Sequence, residues 1–281
     1  MPQLAPFESI TIGDVKITYL PDGGGRLRPT AVFPTITAQD WQPYAHLLSD
    51  DGELLLSVGV FLLEIGRRLI LVDTGMGPDE ATLEMGHFWG GRLLESLQQA
   101  GYSPDQITDV LFTHLHLDHI GWTAPKVNGK RPLTFNNAHY YIAATEMEFW
   151  SNTRKPNPAT PHLQAMDGRI TLLTPGDEPI PNIHVIATPG HTPGHIAFRL
   201  TAAESDIYLV GDVLFSPILL AEPTWQPIFD MNGNLAAQTR QHLLTSLIQP
   251  QALTIIGHMT GTVFGQIRLN EGQPQWNPRS S

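Results

Sequence analysis

The stretch TDVLFTHLHLDHIGW, residues 108–122, places three histidines and one aspartate within six positions, directly after an apolar run. An imidazole gives up apolar burial or hydration unless its ring nitrogens find partners, so a generic surface loop has no reason to collect three of them. Alternate side chains of an extended segment point to the same side, which lets His114 and His116 grip one ion. Asp118 and His119 follow where the chain turns, and they can face a second ion. The spacing therefore predicts a metal centre.

Three further ligand-type side chains also come directly after apolar strands. IHVIATPG leads into His191, IYLVG into Asp212 and LTIIG into His258. Taken singly, such a histidine is as well explained by a hydrogen-bonded core position, and such an aspartate by a turn or a helix cap. If these strands end at a common edge of a layered sheet, however, the side chains converge there on one pocket. A carboxylate has two oxygens, so Asp212 can be shared between two cations.

Composition limits the class of protein. A chain of 281 residues with 41% hydrophobic and 15% charged residues is typical of a folded globular protein, and no linker divides it, so we expect a single domain over residues 1–281. The net charge of −11 weighs against nucleic-acid partners, which need a basic face. Because the chain has no cysteine, any metal must be held by imidazole and carboxylate. With no signal peptide or membrane span evident, we expect a cytoplasmic protein with a small-molecule substrate and no membrane partner.

Short apolar runs between Gly, Pro and Asp predict many strands. The clearest are DVKITYL, ELLLSVGVFLLEI, RRLILVD, DVLFT, HYYIA, IHVIAT, DIYLV and LTIIG. LLEIGRRLILVD predicts a hairpin that turns at Gly66 and Arg67. Helices are predicted over residues 91–101 and 234–248, the second with Asn234 as N-cap, and the tail 271–281 is predicted to be frayed.

These motifs together resemble the metallo-β-lactamase superfamily, in its binuclear hydrolase branch. The segments that carry the resemblance are ILVDTG near Asp73, THLHLDH, ATPGHTPGH, VGD and the GH at residues 257–258, which follow one another in order from about residue 55 to about residue 260. The resemblance implies an α/β fold, a four-layer αββα sandwich with the metal centre at one edge.

The resemblance also implies a role for each matching residue. The first metal site falls on His114, His116 and His191, the second falls on Asp118, His119 and His258, Asp212 bridges the two, and Asp73 and His195 orient the ligands. The implied cofactors are two divalent metal ions, with zinc favoured by abundance; iron, manganese or cobalt would accept the same ligands.

The implied activity is hydrolysis of an ester, a lactone or a related acyl bond. Two adjacent cations polarise a carbonyl and lower the pKa of a shared water, which supplies a bridging hydroxide, and Asp118 or Asp212 is the candidate general acid or base. Three alternatives stay open: a phosphotriester hydrolase, a thioester hydrolase and, ranked last, an iron-dependent redox enzyme similar to persulfide dioxygenases.

Aromatic residues in irregular stretches are candidates for a substrate pocket. We name Phe215, Trp122 and Trp225. The Bacillus-type homoserine-lactone lactonases place a tyrosine three residues after the bridging aspartate, and this chain has Phe215 there. A phenol that could contact the substrate carbonyl is therefore missing.

Overall fold

The computed structural model describes residues 2–153 and 157–279, which form a mixed α/β structure. The strands are β1 (Glu8–Ile12), β2 (Val15–Leu27), β3 (Leu54–Ile65), β4 (Arg68–Val72), β5 (Glu80–Leu83), β6 (Gly86–Trp89), β7 (Asp109–Leu111), β8 (His139–Ala143), β9 (Ile170–Leu173), β10 (Ile183–Ala187), β11 (Ile196–Ala202), β12 (Ser205–Leu209), β13 (Ala252–Ile255), β14 (Phe264–Asn270) and β15 (Gln273–Pro278). The helices are α1 (Pro29–Val32), α2 (Leu93–Gln99), α3 (Leu117–Ile120), α4 (Ala144–Asn152), α5 (Thr160–Ala165), α6 (Ile218–Ala221) and α7 (Gly233–Leu247).

The described strands form two sheets. The first has nine strands in the order β5-β6-β2-β3-β4-β7-β8-β9, with β1 paired to β2. The second has six strands in the order β10-β11-β12-β13-β14-β15. β7 runs parallel to β4 and β8, and β12 runs parallel to β13. Because parallel neighbours end at the same edge, the segments that follow these strands are placed side by side within each sheet.

Two apolar clusters separate the layers. The larger one contains side chains from both sheets, such as Leu63 and Val72 of the first and Phe198 and Ile255 of the second, together with Leu247 of α7. The smaller one joins the other face of the first sheet to α2, α4 and α5. A sheet that is apolar on both faces needs cover on each side. The layers therefore follow the order helix, sheet, sheet, helix, which confirms the predicted αββα class.

The hairpin predicted at Gly66 and Arg67 joins β3 and β4, which pair antiparallel. The three-glycine stretch after Leu20 is part of β2 rather than the start of a loop. Glycine suits it because a Cβ at Gly23 would lie 1.9 Å from the carbonyl oxygen of Trp89 on the neighbouring β6. β2 thereby pairs closely with β6, whose Phe88 lines the cavity described below.

Two local predictions were wrong. The N-cap of α7 is Asn232, whose side chain accepts from the Leu235 N–H at 3.1 Å, so the helix begins before Asn234. The tail was predicted to fray, yet β15 pairs with β14 from Asn270 opposite Gln273 to Gly265 opposite Pro278, since ladder hydrogen bonds and the close approach of Trp276 to Gly265 hold it. Residues 280–281 of that tail lie outside the described residues.

Within the described residues, no helix is both long and apolar enough to cross a bilayer.

Candidate metal centre

The HLHLDH segment follows β7 and continues into α3, which holds Asp118 and His119. His116 is extended, with φ −70° and ψ 159°, directly before α3 begins. His114 Nε2 lies 3.0 Å from His116 Nδ1, which is itself 2.9 Å from His191 Nε2. The third imidazole comes from the loop after β10, in the other sheet. Three ring nitrogens thus converge on one point.

Burial favours the neutral form of His114 and His116, and a neutral imidazole offers one lone pair to a metal ion. Burial lowers the pKa of His114 well below its usual value, and burial with the nearby His191 lowers the pKa of His116 to about 3. His191 Nδ1 lies 3.0 Å from an oxygen of Asp230, so Nδ1 carries a hydrogen and Nε2 is the nitrogen turned toward the cluster. Nitrogens this close need a shared hydrogen or a cation between them. The cluster fits a metal ion.

The second cluster consists of Asp118, His119 and His258. His258 Nδ1 donates to the Ser57 carbonyl at 2.6 Å, and His119 Nδ1 lies 2.8 Å from Asp73 Oδ2. Their Nε2 atoms therefore face each other at 3.3 Å, with Asp118 Oδ2 3.6 and 3.7 Å away. Although burial lowers it, the pKa of both imidazoles is raised, chiefly by the Asp212 carboxylate. The negative field at this point attracts cations, a proton included.

Asp212 lies between the two clusters. Oδ1 is 3.3 Å from His119 Nε2 and 3.2 Å from His258 Nε2, while Oδ2 is 3.3 Å from His191 Nε2. Burial raises the pKa of this carboxyl, but the surrounding histidines outweigh burial and hold it well below its usual value. Oδ1 is buried and has no hydrogen-bond partner among the described residues. An ionised, buried oxygen of this kind needs positive charge beside it, which protonated imidazoles or metal ions can supply. A carboxylate that faces both clusters fits two metal ions that share Asp212.

Asp73 and His195 contact the segments that carry the ligand-type residues. Asp73 accepts from the Thr113 N–H at 2.8 Å and from His119, in a left-handed backbone conformation with φ 65°. His195 Nε2 accepts from the Asp212 N–H at 3.0 Å, and its Nδ1 lies 2.8 Å from Thr188 Oγ1. These contacts restrict the orientation of His119 and of the Asp212 backbone.

A cavity of about 400 Å³ opens onto both clusters. Its lining combines polar groups of the centre with apolar side chains, and it comprises Leu56, Met76, Ala81, Leu83, Phe88, His116, Leu117, Asp118, His191, Asp212, Phe215, Ile228, Phe229, Met231 and His258. Of the three aromatic candidates, Phe215 lies in this lining. Trp122 is buried in the smaller core cluster and Trp225 packs against Phe33, Trp41 and Tyr44, so neither is among the residues that line the cavity.

Glu146 is a buried carboxylate that sequence reasoning missed. One oxygen accepts from the Leu115 N–H at 3.0 Å, and the other accepts from Thr192 Oγ1 at 2.7 Å and the Gly194 N–H at 3.0 Å. Leu115 stands between two histidines of the first cluster, and Thr192 follows the third. Glu146 therefore ties both loops of that cluster to α4. Its only sequence signal was an acidic residue in a first helical turn, which is common in helices.

Asp22 is a second missed carboxylate, and it lies behind the cavity wall. It accepts from the Trp122 indole at 2.8 Å, from the Met76 N–H at 2.8 Å, and from the N–H groups of Gly91, Arg92 and Leu93. Burial raises its pKa, against the effect of these donors. The carboxylate thus links the end of the HLHLDH segment to the cavity wall. In the sequence it reads only as part of a PDGGG turn signal.

A helix–sheet–sheet–helix sandwich with a histidine and aspartate centre at the ends of strands from both sheets defines the class. The chain belongs to the metallo-beta-lactamase superfamily, whose family model matches residues 55–258. This confirms the resemblance drawn from the motifs.

Several characterised relatives are lactonases. The chain is 30% identical over 211 residues to an N-acyl homoserine lactonase of Bacillus thuringiensis, covering 69% of this chain and 74% of that protein. It is 26% identical to an N-acyl homoserine lactonase of a Bacillus species, covering 86% and 92%. Among solved structures, AidC, described as a dizinc quorum-quenching lactonase in complex with a product, aligns with a TM-score of 0.86 at 25% identity, over 99% of both chains. The hydrolase AbOPH aligns with a TM-score of 0.84 at 27% identity, again over 99% of both.

Proposed function

We propose that this protein is a metal-dependent hydrolase that opens lactones or cleaves related neutral esters at a centre of two divalent cations, with zinc as the metal. The observation that carries the proposal is the buried, ionised Asp212, whose oxygens face two clusters of imidazole nitrogens at the floor of an apolar cavity. The similarity to lactonases, one of them dizinc, supports both the reaction class and the metal.

The ligand assignment follows from the two clusters. The first cation is held by His114, His116 and His191, the second by Asp118, His119 and His258, and both by Asp212. When bound, such cations polarise the substrate carbonyl and lower the pKa of a water between them. His195 and Asp73 keep the ligands oriented.

Asp118 is the group that we assign to carry a proton to the leaving oxygen. Its side chain lines the cavity and is 24% exposed, whereas the Asp212 side chain is 9% exposed and has both oxygens turned to imidazoles. A general acid must reach the substrate, and the more exposed carboxylate that lines the cavity can do so.

The cavity favours neutral, partly apolar substrates. None of the described residues that line it is lysine or arginine, and Phe88, Phe215 and Phe229 supply much of its wall. A phosphate or carboxylate group of a substrate would therefore have no guanidinium or ammonium group of the lining to pair with. The net charge of −11 also slows the approach of anions at low salt. This argument ranks a glutathione thioester behind a lactone or an aryl ester. A neutral phosphotriester fits the same cavity and belongs in the test.

We also propose that residues 1–281 act as one domain. Ligand-type residues come from both sheets, and one apolar cluster joins those sheets. Neither half alone holds a complete donor set for both cations.

The test combines metal analysis with a substrate panel. Zinc-loaded protein should contain about two equivalents of metal, lose activity on chelation and regain it with zinc. On one preparation, kcat/KM should be higher for long-chain lactones and neutral aryl esters than for glutathione thioesters. Saturation at one metal, with His119 and His258 dispensable, would refute the binuclear centre. If no lactone and no ester is hydrolysed, the proposed reaction class is refuted. Hydrolysis of the neutral phosphotriesters alone would then favour the phosphotriester alternative.

A further inference from the structure

Arg240 on α7 is a fully buried arginine outside the proposed ligand set, with a side-chain exposure of 0%. Its guanidinium donates to three backbone carbonyls: from Nε to Val213 at 2.8 Å, and from Nη1 to Pro223 at 2.8 Å and Trp225 at 3.1 Å. Nη2 donates to Asp230 Oδ2 at 3.2 Å. Burying a guanidinium is strongly unfavourable unless its donors are met, and here one cation gathers three separate segments.

Asp230, the partner of Arg240, is itself in contact with the metal centre. Its side chain is also 0% exposed, and its other oxygen lies 3.0 Å from His191 Nδ1. The carboxylate therefore accepts the imidazole hydrogen and directs Nε2 toward the first cluster. Two backbone hydrogen bonds reinforce this contact, from Met231 N–H to the His191 carbonyl at 3.0 Å and from Asn232 N–H to the Gly190 carbonyl at 2.9 Å.

The same segment forms one wall of the cavity. Ile228, Phe229 and Met231 flank Asp230 on both sides and line the cavity. Val213, whose carbonyl Arg240 holds, directly follows Asp212. One buried ion pair thus contacts the backbone beside the bridging carboxylate, a first-cluster imidazole and the substrate-facing wall.

We infer that Asp230 and Arg240 are a positioning pair that couples the cavity wall to the first cation site, a role that rests on the proposed function. Neither side chain lines the cavity, so both act through His191 and through the segment 228–231. The carboxylate makes the imidazole a better ligand by accepting its hydrogen, and the guanidinium holds the carboxylate in place. The metal affinity of the first site and the binding of the apolar part of the substrate therefore both depend on this pair.

A purely structural ion pair would behave differently. Removing it would lower the free energy of unfolding without a selective effect on one cation. The chain offers a matched control in Asp109, whose side chain is 2% exposed and pairs with Arg68 at 2.8 Å. Asp109→Asn removes a buried carboxylate of the same kind that contacts none of the proposed ligands.

The experiment measures metal binding rather than activity. Zn²⁺ affinity is determined by competition with a chromophoric chelator, and the Co²⁺-loaded protein is followed by its visible absorption. Asp230→Asn should weaken one of the two Zn²⁺ equivalents by about 10- to 100-fold and change the Co²⁺ spectrum, as expected when the carboxylate behind a metal-binding imidazole is lost. Asp230→Glu should restore part of the affinity. Asp109→Asn should leave both affinities and the spectrum as in the wild type.

A second readout needs no variant. In the zinc-loaded wild-type protein, nitrogen–proton correlation spectra should show His191 as the Nδ1–H tautomer, with a hydrogen that exchanges slowly. A folded Asp230→Asn protein with two wild-type zinc affinities, or a His191 that is not Nδ1–H, would overturn the inference. If the variant does not fold, the tautomer decides.

The kinetic counterpart uses the lactone and ester panel. Arg240→Lys should raise KM for long-chain substrates more than for short-chain ones, because it loosens the wall. Equal changes for both chain lengths would contradict the coupling. A protein that binds two zinc ions as predicted but hydrolyses nothing would refute the proposed function while leaving the positioning pair intact.

Discussion

At the scale of single residues, the centre is organised by which nitrogen of each imidazole is turned toward the protein. In His119, His191 and His258, Nδ1 is hydrogen-bonded to the protein. The acceptors are, in that order, Asp73, Asp230 and the Ser57 carbonyl. The opposite nitrogen of each of these rings, Nε2, faces the clusters and is the atom that would bind a metal ion. The sequence supplies the imidazoles, but hydrogen bonds to residues distant in sequence choose the tautomers.

We expect His114→Ala to remove the first-site metal. His114 is buried, and its Nε2 faces His116 at 3.0 Å, so its loss takes one of three nitrogens from the first cluster. Elemental analysis of zinc-loaded protein should fall from about two equivalents toward one. The control is His139→Gln, because His139 contacts Thr171 on the surface and should keep both equivalents. Retention of two tightly bound ions in the His114 variant would contradict the assignment.

We expect His162 to make the fold sensitive to acid. Burial, followed by the nearby Arg131, lowers the pKa of His162 to about 4 from an unfolded value of 6.5. Between these values the unfolded chain takes up a proton that the folded chain refuses, so stability falls as the pH drops from 6.5 to about 4 and levels off below. Thermal unfolding of the wild type and of His162→Gln should therefore converge on acidification. If Tm falls equally with pH in the two proteins, His162 does not contribute to the acid sensitivity of the fold.

We expect Phe215→Tyr to speed the hydrolysis of lactones. Phe215 lines the cavity and packs against Phe33 and Phe229, with ring centroids 6.2 and 5.9 Å apart. A phenol at this position would donate a hydrogen bond to a substrate carbonyl. One such bond should raise kcat/KM by about tenfold. The matched control is Phe229→Tyr, at another position in the same lining. An equal effect of both changes would assign the gain to polarity alone.

At the scale of elements, α4 acts as a clamp through Glu146, and we expect Glu146→Gln to weaken the fold. Its oxygens accept from Leu115, Thr192, Gly194 and the Trp150 indole. An amide would turn an NH₂ group toward buried donors, so the free energy of unfolding should fall by about 2–3 kcal/mol. Chemical denaturation measures this.

The neighbouring Glu148 on the same helix is exposed and provides the control. Glu148→Gln should leave the free energy of unfolding within about 0.5 kcal/mol of the wild type. The Glu146 variant should also release zinc to a chelator faster, because both loops of the first cluster lose their common anchor. A variant as stable as the wild type would show that the two loops hold without it.

At the scale of the whole molecule, the two sheets meet in one apolar cluster and both contribute to the metal centre. A ligand that binds only the folded state stabilises it by about 4 kcal/mol when its concentration is a thousand times Kd. We therefore expect removal of the metals to lower Tm by roughly 10 °C and added zinc to restore it. Calorimetry of apo and zinc-loaded protein measures the shift. An unchanged Tm would mean that the metals do not link the sheets.

The amino-acid sequence was enough to predict a donor set and the order of its parts along the chain. Alternation along an extended segment places His114 and His116 on one side, and apolar strands that end just before Asp212 and His258 place these at strand ends. The strands followed from the same short-range periodicity, whereas the four-layer class was implied by the resemblance to the superfamily. Signals of this kind lie within a few neighbouring residues and are set by local backbone geometry, so they can be identified before the fold is known.

The tertiary structure alone decided which groups lie behind the centre. Glu146, Asp22 and the Asp230–Arg240 pair have no sequence signature, because a buried carboxylate is recognised by donors that come from distant parts of the chain. For the same reason β15 is a strand through its pairing with β14, despite a polar, proline-containing sequence. Side-chain burial and hydrogen-bond partners are properties of the folded chain. Only long-range packing brings these groups together and gives them their roles.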